Sequence, residues 1–189
     1  MPKVLAVTSA APAEVSDALA RARAFAEPLI AHELLDSGEN MMAHADAVAT
    51  ILKAIGGSEA MQAASYLIYA GEHLNHPLEV IGKAFGASLA GLAVETAKLV
   101  RVQRLSREAQ SDAQLIDDPK AQTENVRKML LAFSRDLRVV MLRLASRLQT
   151  LRWYAASRQP CPQALALESQ QVFAPLASRL GIWQIKWEI

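Results

Sequence analysis

The sequence predicts an all-α protein. Alanine and leucine are frequent, glycine and proline are sparse with 8 residues each among 189, and apolar residues recur every three or four positions. No segment shows the alternation of apolar and polar residues that is typical of a strand. Because 52% of the residues are hydrophobic, the chain has enough aliphatic side chains for a packed core, and disorder is not expected.

The helical segments follow from this spacing and from the glycines and prolines between them. The first, residues 17–35, follows a loose tail at 1–14 and is expected to bend at Pro28. His76-Pro77 resembles a cap with proline at the first helical position. Residues 107–118 are polar enough to form a solvated connection. The other predicted helices are 44–55, 58–73, 77–85, 88–105, 126–151 in two pieces broken near 134–136, and 162–180.

Charge and cysteine content exclude several function classes. Twenty basic and 19 acidic residues leave a formal charge of +1, so no global field is available to hold nucleic acid. The single cysteine, Cys161, excludes an internal disulfide and a cysteine-based zinc site, which predicts a cytoplasmic location. No stretch approaches the ~20 apolar residues that a spanning helix needs, so no membrane partner is expected. No glycine-rich phosphate loop or nucleophile elbow is present.

Three blocks together resemble the N-terminal half of the RelA/SpoT homologues, bacterial enzymes that make and degrade the guanosine alarmones ppGpp and pppGpp. The first block is Ser37-Gly38-Glu39 with His44 six residues after the glycine. The other two blocks are longer and comprise residues 127–132 with 136–139, and residues 173–177 with 179–182 and 185–188. The resemblance spans residues 20–189 and implies an HD-domain-like helical bundle.

The resemblance implies that active members hold one Mn²⁺ through a histidine, a His-Asp pair and a distant aspartate. His44 occupies the first ligand position. Aligned on Phe85-Gly86, the pair becomes Ile68-Tyr69, and the distant aspartate becomes Ser146. Isoleucine offers no lone pair, and neutral hydroxyl groups are poor ligands for a hard divalent ion. We therefore expect no metal cofactor and interpret His44 as a relic.

The positions that handle substrate in the family differ as well. The acidic pair after the His-Asp motif is Glu72-His73 here, and the basic pair that stacks on guanine is Leu35-Asp36. An aspartate in place of a planar cation removes the stacking group and repels phosphate. The polar pair after Arg147-Leu148 is Gln149-Thr150, where the family has His-Asn. We expect no catalytic residue and no substrate contact at these positions.

The first hypothesis is a catalytically inactive, regulatory hydrolase-like domain of a RelA-type GTP pyrophosphokinase. Residues 15–182 would form this degenerate HD domain, and 183–189 would begin a truncated linker to a synthetase domain absent from this chain. The synthetase domain is the expected partner, with ribosome and tRNA reached through regions outside this chain. Two alternatives remain, namely a residual metal-dependent ppGpp 3′-pyrophosphohydrolase that uses His44 and Glu72, and a free-standing helical interaction module.

Several charged residues also have simpler interpretations. Without the family context, His44 would be a capping or partly buried histidine, and His73 and His76 would belong to a solvated turn. Two sets of arginines fall at near-helical spacing. For Arg101, Arg104 and Arg107 a solvated helix end is favoured over an RNA contact. For Arg143, Arg147 and Arg152 a surface facing the absent synthetase domain is favoured over internal salt bridges.

Overall fold

The structure, a computed structural model, describes residues 12–112 and 136–189. Within these ranges the chain is helical and forms no strand, apart from an isolated bridge between Leu34 and Asn40. A 3₁₀ turn covers Gly71–His73 and a π-helix covers Ser169–Phe173. The α-helices are α1 (Pro12–Ile30), α2 (Met41–Ala54), α3 (Glu59–Ala70), α4 (Pro77–Phe85), α5 (Ala87–Asp112), α6 (Leu137–Ser157), α7 (Gln163–Glu168), α8 (Ala174–Arg179) and α9 (Trp183–Lys186). The predicted all-α class is confirmed.

Helix α3 is the centre of the domain. Every residue from Met61 to Ala70 is buried, as expected for a helix that is apolar around its whole circumference. It packs against α1, α2 and α5. Burying a side chain such as Leu67, which is 0% exposed, contributes roughly 1.5–3 kcal/mol to stability. The helix therefore fixes the position of any residue that it presents to a neighbouring helix.

The connection between α1 and α2 is shaped by two residues. Gly38 has a φ of +88°, a left-handed conformation that glycine adopts without strain. The side-chain oxygen of Asn40 caps α2 by accepting a hydrogen bond from the backbone N–H of Ala43 at 2.9 Å. The Asn40 amide also donates to the carbonyl of Ala31 at 2.8 Å, which closes the loop onto the end of α1. This loop carries Glu39 into the interior, where it is 3% exposed.

Several predicted boundaries require correction or lie outside the described residues. Helix α1 spans Pro12–Ile30, so the prediction of a helix over 17–35 is wrong for residues 31–35. Helix α5 continues to Asp112, so the predicted solvated connection is wrong for residues 107–112. Within this part of the helix, Arg107 forms an ion pair with Glu168 at 3.1 Å. The rest of that connection and residues 126–135 of the next predicted helix lie outside the described ranges. Helix α6 begins where its break was predicted, after Asp136, whose side chain caps the N–H of Arg138.

The C-terminal segment folds back on the domain. The helix predicted over 162–180 is present as α7, the π-helix and α8, and it ends at Gly181 with a φ of +68°. Beyond it, Ile185 in α9 is 0% exposed. Arg152 in α6 holds this segment through a two-pronged ion pair with Glu188 at 2.6 and 2.7 Å. The boundary proposed between residues 182 and 183 stays a prediction.

In the described part of the chain, no helix combines the length and the apolar character that crossing a membrane requires.

Candidate functional site

A cavity of about 600 Å³ lies where the α1–α2 loop, α3, α5, α6 and α7 meet. Most of the residues singled out in the sequence line it together: Leu35, Asp36, His44, Tyr69, Glu72, Ser146 and Thr150. The lining does not include Ile68, His73 or Gln149, which were also singled out. Ile68 packs in the hydrophobic core at 5% exposure, and His73 is exposed in the 3₁₀ turn. Most of the sequence positions identified by resemblance therefore converge on one cavity.

His44 is the centre of a buried hydrogen-bonded cluster in this cavity. Its Nδ1 lies 2.7 Å from Oε2 of Glu39, and its Nε2 lies 3.0 Å from Oγ of Ser146. The Tyr69 hydroxyl lies 3.2 Å from the same Ser146 oxygen. The Tyr69 ring also meets the imidazole edge to face, with centroids 5.5 Å apart. We call Glu39, His44, Tyr69 and Ser146 the polar cluster.

One arrangement of hydrogen atoms, with an ionised Glu39 and a neutral imidazole, satisfies every group in the polar cluster. An ionised carboxylate only accepts, so Nδ1–H of His44 donates to Glu39. In neutral His44 the other nitrogen, Nε2, is an acceptor and receives the hydroxyl hydrogen of Ser146. The Tyr69 hydroxyl then donates to the oxygen of Ser146. Burial raises the pKa of Tyr69, which keeps the phenol protonated and able to donate.

Glu39 was not predicted from the sequence to be a member of the site. It was noted only as part of a motif, yet its carboxylate accepts from His44 and, through its second oxygen, from Nε2 of Gln149. Both carboxylate oxygens are therefore satisfied, as a buried charge requires. The sequence feature that could have identified Glu39 is its position five residues before His44, because an acidic side chain just ahead of a helix can reach the first turn. The sequence also missed Gln149 as the polar partner.

The residues present do not fit a divalent metal ion. Both ring nitrogens of His44 lie within hydrogen-bond distance of protein groups, Glu39 and Ser146. Ser146 and Tyr69 offer neutral oxygens, and Ile68 offers none. Within the ranges 12–112 and 136–189, no group of three or more His, Cys, Asp or Glu side chains is arranged to hold a metal.

Arginines form another wall of the cavity, and their environment differs from the sequence expectation. Arg143 and Arg147 are 6% and 3% exposed, so the prediction that they face an absent domain is wrong for both. Arg147 donates to Glu168 at 2.6 Å and stacks 4.3 Å over the Phe173 ring. Arg143 donates twice to the side-chain oxygen of Gln103. Both arginines are held by contacts within the domain, and Arg152 pairs with Glu188.

The arginines of α5 also differ from expectation. Arg101 is exposed, as predicted for a solvated helix end. Arg104 and Arg107 line the cavity instead, with 38% and 22% of their side chains exposed. Arg104 lies 4.0 Å from the carboxylate of Asp36, one of the residues found at the family's guanine-stacking positions. The α5 arginines are therefore part of the site.

Comparisons with known proteins identify one matching family model and several related sequences. A family model described as an HD domain matches residues 22–183. A "Probable guanosine-3′,5′-bis(diphosphate) 3′-pyrophosphohydrolase" of Synechocystis sp. is 37% identical over 171 residues, covering 90% of this chain and 21% of the relative. A relative in Haemophilus influenzae named "Guanosine-3′,5′-bis(diphosphate) 3′-pyrophosphohydrolase" is 34% identical over 161 residues, covering 84% and 22%.

A third relative has a different activity in its name. A "GTP pyrophosphokinase" of Streptomyces antibioticus is 33% identical over 153 residues, covering 81% of this chain and 17% of the relative. The chain thus spans about a fifth of the length of the curated relatives it matches. Similarity to these proteins is therefore confined to one part of each.

Proposed function

We propose that this chain, which belongs to the HD-domain RelA/SpoT family, is a hydrolase-like domain that has lost catalysis and serves regulation. The parent protein would be a RelA-type GTP pyrophosphokinase, which moves pyrophosphate from ATP to GTP or GDP in a separate synthetase domain. That domain is the proposed partner. Ribosome and tRNA contacts are proposed only for regions outside this chain, and the proposed location is the cytoplasm.

The observation that carries the proposal is the polar cluster. Three of the four positions that correspond to metal ligands are His44, Tyr69 and Ser146, and they bond to one another. A metal-dependent hydrolase needs an ion that lowers the pKa of bound water and orients it. A closed set of hydrogen bonds among protein side chains supports a different role, that of joining α2, α3 and α6. Each such buried bond contributes about 1 kcal/mol to stability.

The regulatory part of the proposal rests on how the cavity connects to the C-terminal segment. Arg147 lines the cavity, and its guanidinium also donates to the carbonyl of Leu165 and the hydroxyl of Ser169. The segment that follows reaches Glu188, which Arg152 holds. A domain influences its neighbour only if its contacts differ between two states of that neighbour. The C-terminal segment offers a surface for such contacts, with Trp187 79% exposed.

The experiment that tests inactivity combines metal analysis with a turnover assay on one sample. The chain is dialysed against Mn²⁺, its metal content is measured, and release of pyrophosphate from ppGpp is followed. We expect no stoichiometric metal and no Mn²⁺-dependent turnover. Stoichiometric metal together with Mn²⁺-dependent turnover would overturn the proposal.

The second candidate is a residual metal-dependent ppGpp 3′-pyrophosphohydrolase. It is favoured by the names of the Synechocystis and Haemophilus relatives and by His44 and Glu72, which line the same cavity. If turnover is found, a Glu72→Gln variant decides whether the cavity is responsible. Loss of turnover in this variant would support the second candidate. Unchanged turnover would point to a contaminating hydrolase and leave the proposal of inactivity in place.

A further inference from the structure

We propose that the polar cluster contains a serine nucleophile, with Ser146 as the attacking group, His44 as its general base and Glu39 as the residue that positions the histidine. The site cleaves a small carboxylic ester through an acyl-serine intermediate. This inference goes beyond the proposed function, which concerns loss of the metal-dependent reaction of the family. It rests on the order in which the three side chains are bonded.

The three side chains form a continuous series of hydrogen bonds from acid to base to hydroxyl. Oε2 of Glu39 lies 2.7 Å from Nδ1 of His44, and Nε2 of the same ring lies 3.0 Å from Oγ of Ser146. A hydroxyl is activated as a nucleophile when a base within about 2.6–3.2 Å can take its proton and a third group orients that base. Such sets are recognised by geometry and roles, because they recur on unrelated folds in different sequence orders.

Glu39 suits the positioning role because it is buried and held at both oxygens. Its side chain is 4% exposed, and its second oxygen accepts from Nε2 of Gln149. A carboxylate beside Nδ1 keeps the proton on that nitrogen and leaves the lone pair of Nε2 to the hydroxyl. It also stabilises the imidazolium that forms when His44 takes the proton of Ser146. Glu39 therefore acts through the histidine.

The hydroxyl is reached from the cavity, and a donor lies beside it. His44, Tyr69 and Ser146 all line the cavity. The Tyr69 hydroxyl lies 3.2 Å from Oγ of Ser146, next to the position that an attacked carbonyl group takes. We assign this phenol as the donor to the negative charge that develops on the carbonyl oxygen. Burial raises the pKa of Tyr69, so the donor stays protonated.

The walls of the cavity indicate the class of ester. Apolar side chains of Met41, Val100 and Leu165 belong to the lining, which suits an uncharged substrate. Ser146 is 9% exposed, so only a small acyl group can approach its oxygen. A short-chain ester such as an acetate therefore fits the site better than a long-chain ester.

The reaction balances with an ester and water alone. Oγ of Ser146 forms a bond to the carbonyl carbon while the hydroxyl proton passes to Nε2 of His44. The bond between that carbon and the alcohol oxygen then breaks, and His44 returns the proton to the leaving alcohol. Water attacks the acyl-serine with His44 again as base, which releases the carboxylic acid and restores the hydroxyl.

The first test is labelling of the 189-residue chain with phenylmethanesulfonyl fluoride in the presence of EDTA, followed by peptide mass spectrometry. Oγ of Ser146 forms a bond to sulfur, fluoride leaves, and His44 passes the hydroxyl proton to solvent. We expect Ser146 to be labelled about a hundredfold faster than other serines, because a positioned base accelerates such steps by roughly 10²–10⁴. This mapping uses the unaltered chain, so it does not depend on the folding of any variant.

The second test follows p-nitrophenolate release from p-nitrophenyl acetate, again in EDTA. We expect an initial burst that Ser146→Ala abolishes, with folding of the variant checked by thermal melting. The matched control is Ser157→Ala, the same change on the same helix at an exposed position outside the cavity lining. The control should give the burst of the unaltered chain.

Glu39→Gln tests the positioning role. The variant keeps the shape of the side chain and one acceptor oxygen but loses the charge that stabilises the imidazolium. We expect the rate of acetylation at saturating ester to fall about tenfold while KM is unchanged, because Glu39 does not contact the substrate. A residue that only holds the helices together would not produce this split between rate and KM. An unchanged rate would contradict the role of Glu39.

Two outcomes would overturn the serine nucleophile. The first is labelling that avoids Ser146 or does not exceed that of other serines. The second is a burst that survives in Ser146→Ala. Either result leaves the proposed loss of metal-dependent hydrolysis intact, because that proposal is tested by Mn²⁺ content and ppGpp turnover. Those measurements use neither probe, so failure of one proposal is distinguishable from failure of the other.

Discussion

The hydroxyl oxygens of Tyr69 and Ser146 lie 3.2 Å apart, although 77 residues separate them in the sequence. The resemblance places both at positions where active relatives carry an aspartate. Two carboxylates this close would repel unless a cation lay between them. Two hydroxyl groups attract each other by a hydrogen bond and need no cation. The two replacements are therefore compatible with each other, and they keep α3 and α6 in contact.

We predict that His44→Ala lowers the free energy of unfolding by about 3 kcal/mol, because the change leaves the Glu39 charge buried with one partner fewer. The measurement is urea denaturation followed by circular dichroism. The matched control is His73→Ala, which removes an exposed imidazole and should change stability by less than about 0.5 kcal/mol. Equal stability of the two variants would contradict the role assigned to the polar cluster.

Tyr69→Phe isolates the contribution of a single hydroxyl. The ring keeps its edge-to-face contact with His44, while the hydrogen bond to Ser146 is lost. We expect a loss of about 1 kcal/mol. Tyr66→Phe is the comparison, because its hydroxyl bonds to Asp46, whose side chain is 41% exposed, and its loss should cost less. Thermal melting of both variants tests the order, and a larger effect at Tyr66 would refute it.

We predict that Ser146→Asp does not restore hydrolysis. The added carboxylate would face a phenol at Tyr69, and Ile68 offers no lone pair, so a ligand set would still be incomplete. It would also bury a second negative charge near Glu39, and a stability loss of about 1–3 kcal/mol is expected. Mn²⁺-dependent ppGpp turnover and thermal melting measure the two effects. Turnover by this variant would show that restoring a single ligand is enough to recover the metal site.

Glu168 gives the domain a predictable response to acid. Burial alone would raise the pKa of Glu168, but the charges of Arg147 and Arg107 outweigh it, so the pKa is lowered from its ordinary 4.5. A carboxyl group with a lowered pKa stabilises the fold above its unfolded pKa, and this stability is lost as the pH falls through the folded pKa. The unaltered chain should therefore lose stability below about pH 4.5 through this group.

Glu168→Gln tests this response. At pH 7 the variant should be less stable by about 3 kcal/mol, because Arg147 loses its buried counter-charge. Between pH 4.5 and more acidic values the variant should lose less stability than the unaltered chain. Denaturation curves at several pH values provide the comparison, and parallel pH profiles for the two proteins would rule out the assigned role of Glu168.

The helices were largely predictable because their signals are local. Apolar spacing and glycine positions predicted the ends of α2, α4 and α8 to within a few residues. The error at α5 has a physical cause that lies far away in the sequence. Arg107 in this part of the helix pairs with Glu168, 61 residues later, and no local pattern reports such a contact. The π-helix at Ser169–Phe173 was likewise unpredictable, because its side chains follow no distinctive spacing.

The positions of the site residues could be predicted, because the resemblance supplied them. Their hydrogen-bond partners could not be predicted. His44, Tyr69 and Ser146 were identified and do share one cavity. Their hydrogen bonds to one another, and the part of Glu39, depend on side-chain directions that only the packed helices define. The same holds for Arg143, since a cationic residue on an amphipathic helix is usually solvated, yet here it is 6% exposed.

Helix α6 contacts both the polar cluster and the C-terminal segment. Ser146 and Arg152 belong to the same uninterrupted helix, α6, and six residues correspond to about 9 Å of helical rise. The first is bonded to His44 in the polar cluster, and the second holds Glu188 in the C-terminal segment. An α-helix resists compression along its axis because its backbone hydrogen bonds are in place. The polar cluster and the C-terminal segment are therefore joined through a single helix, α6.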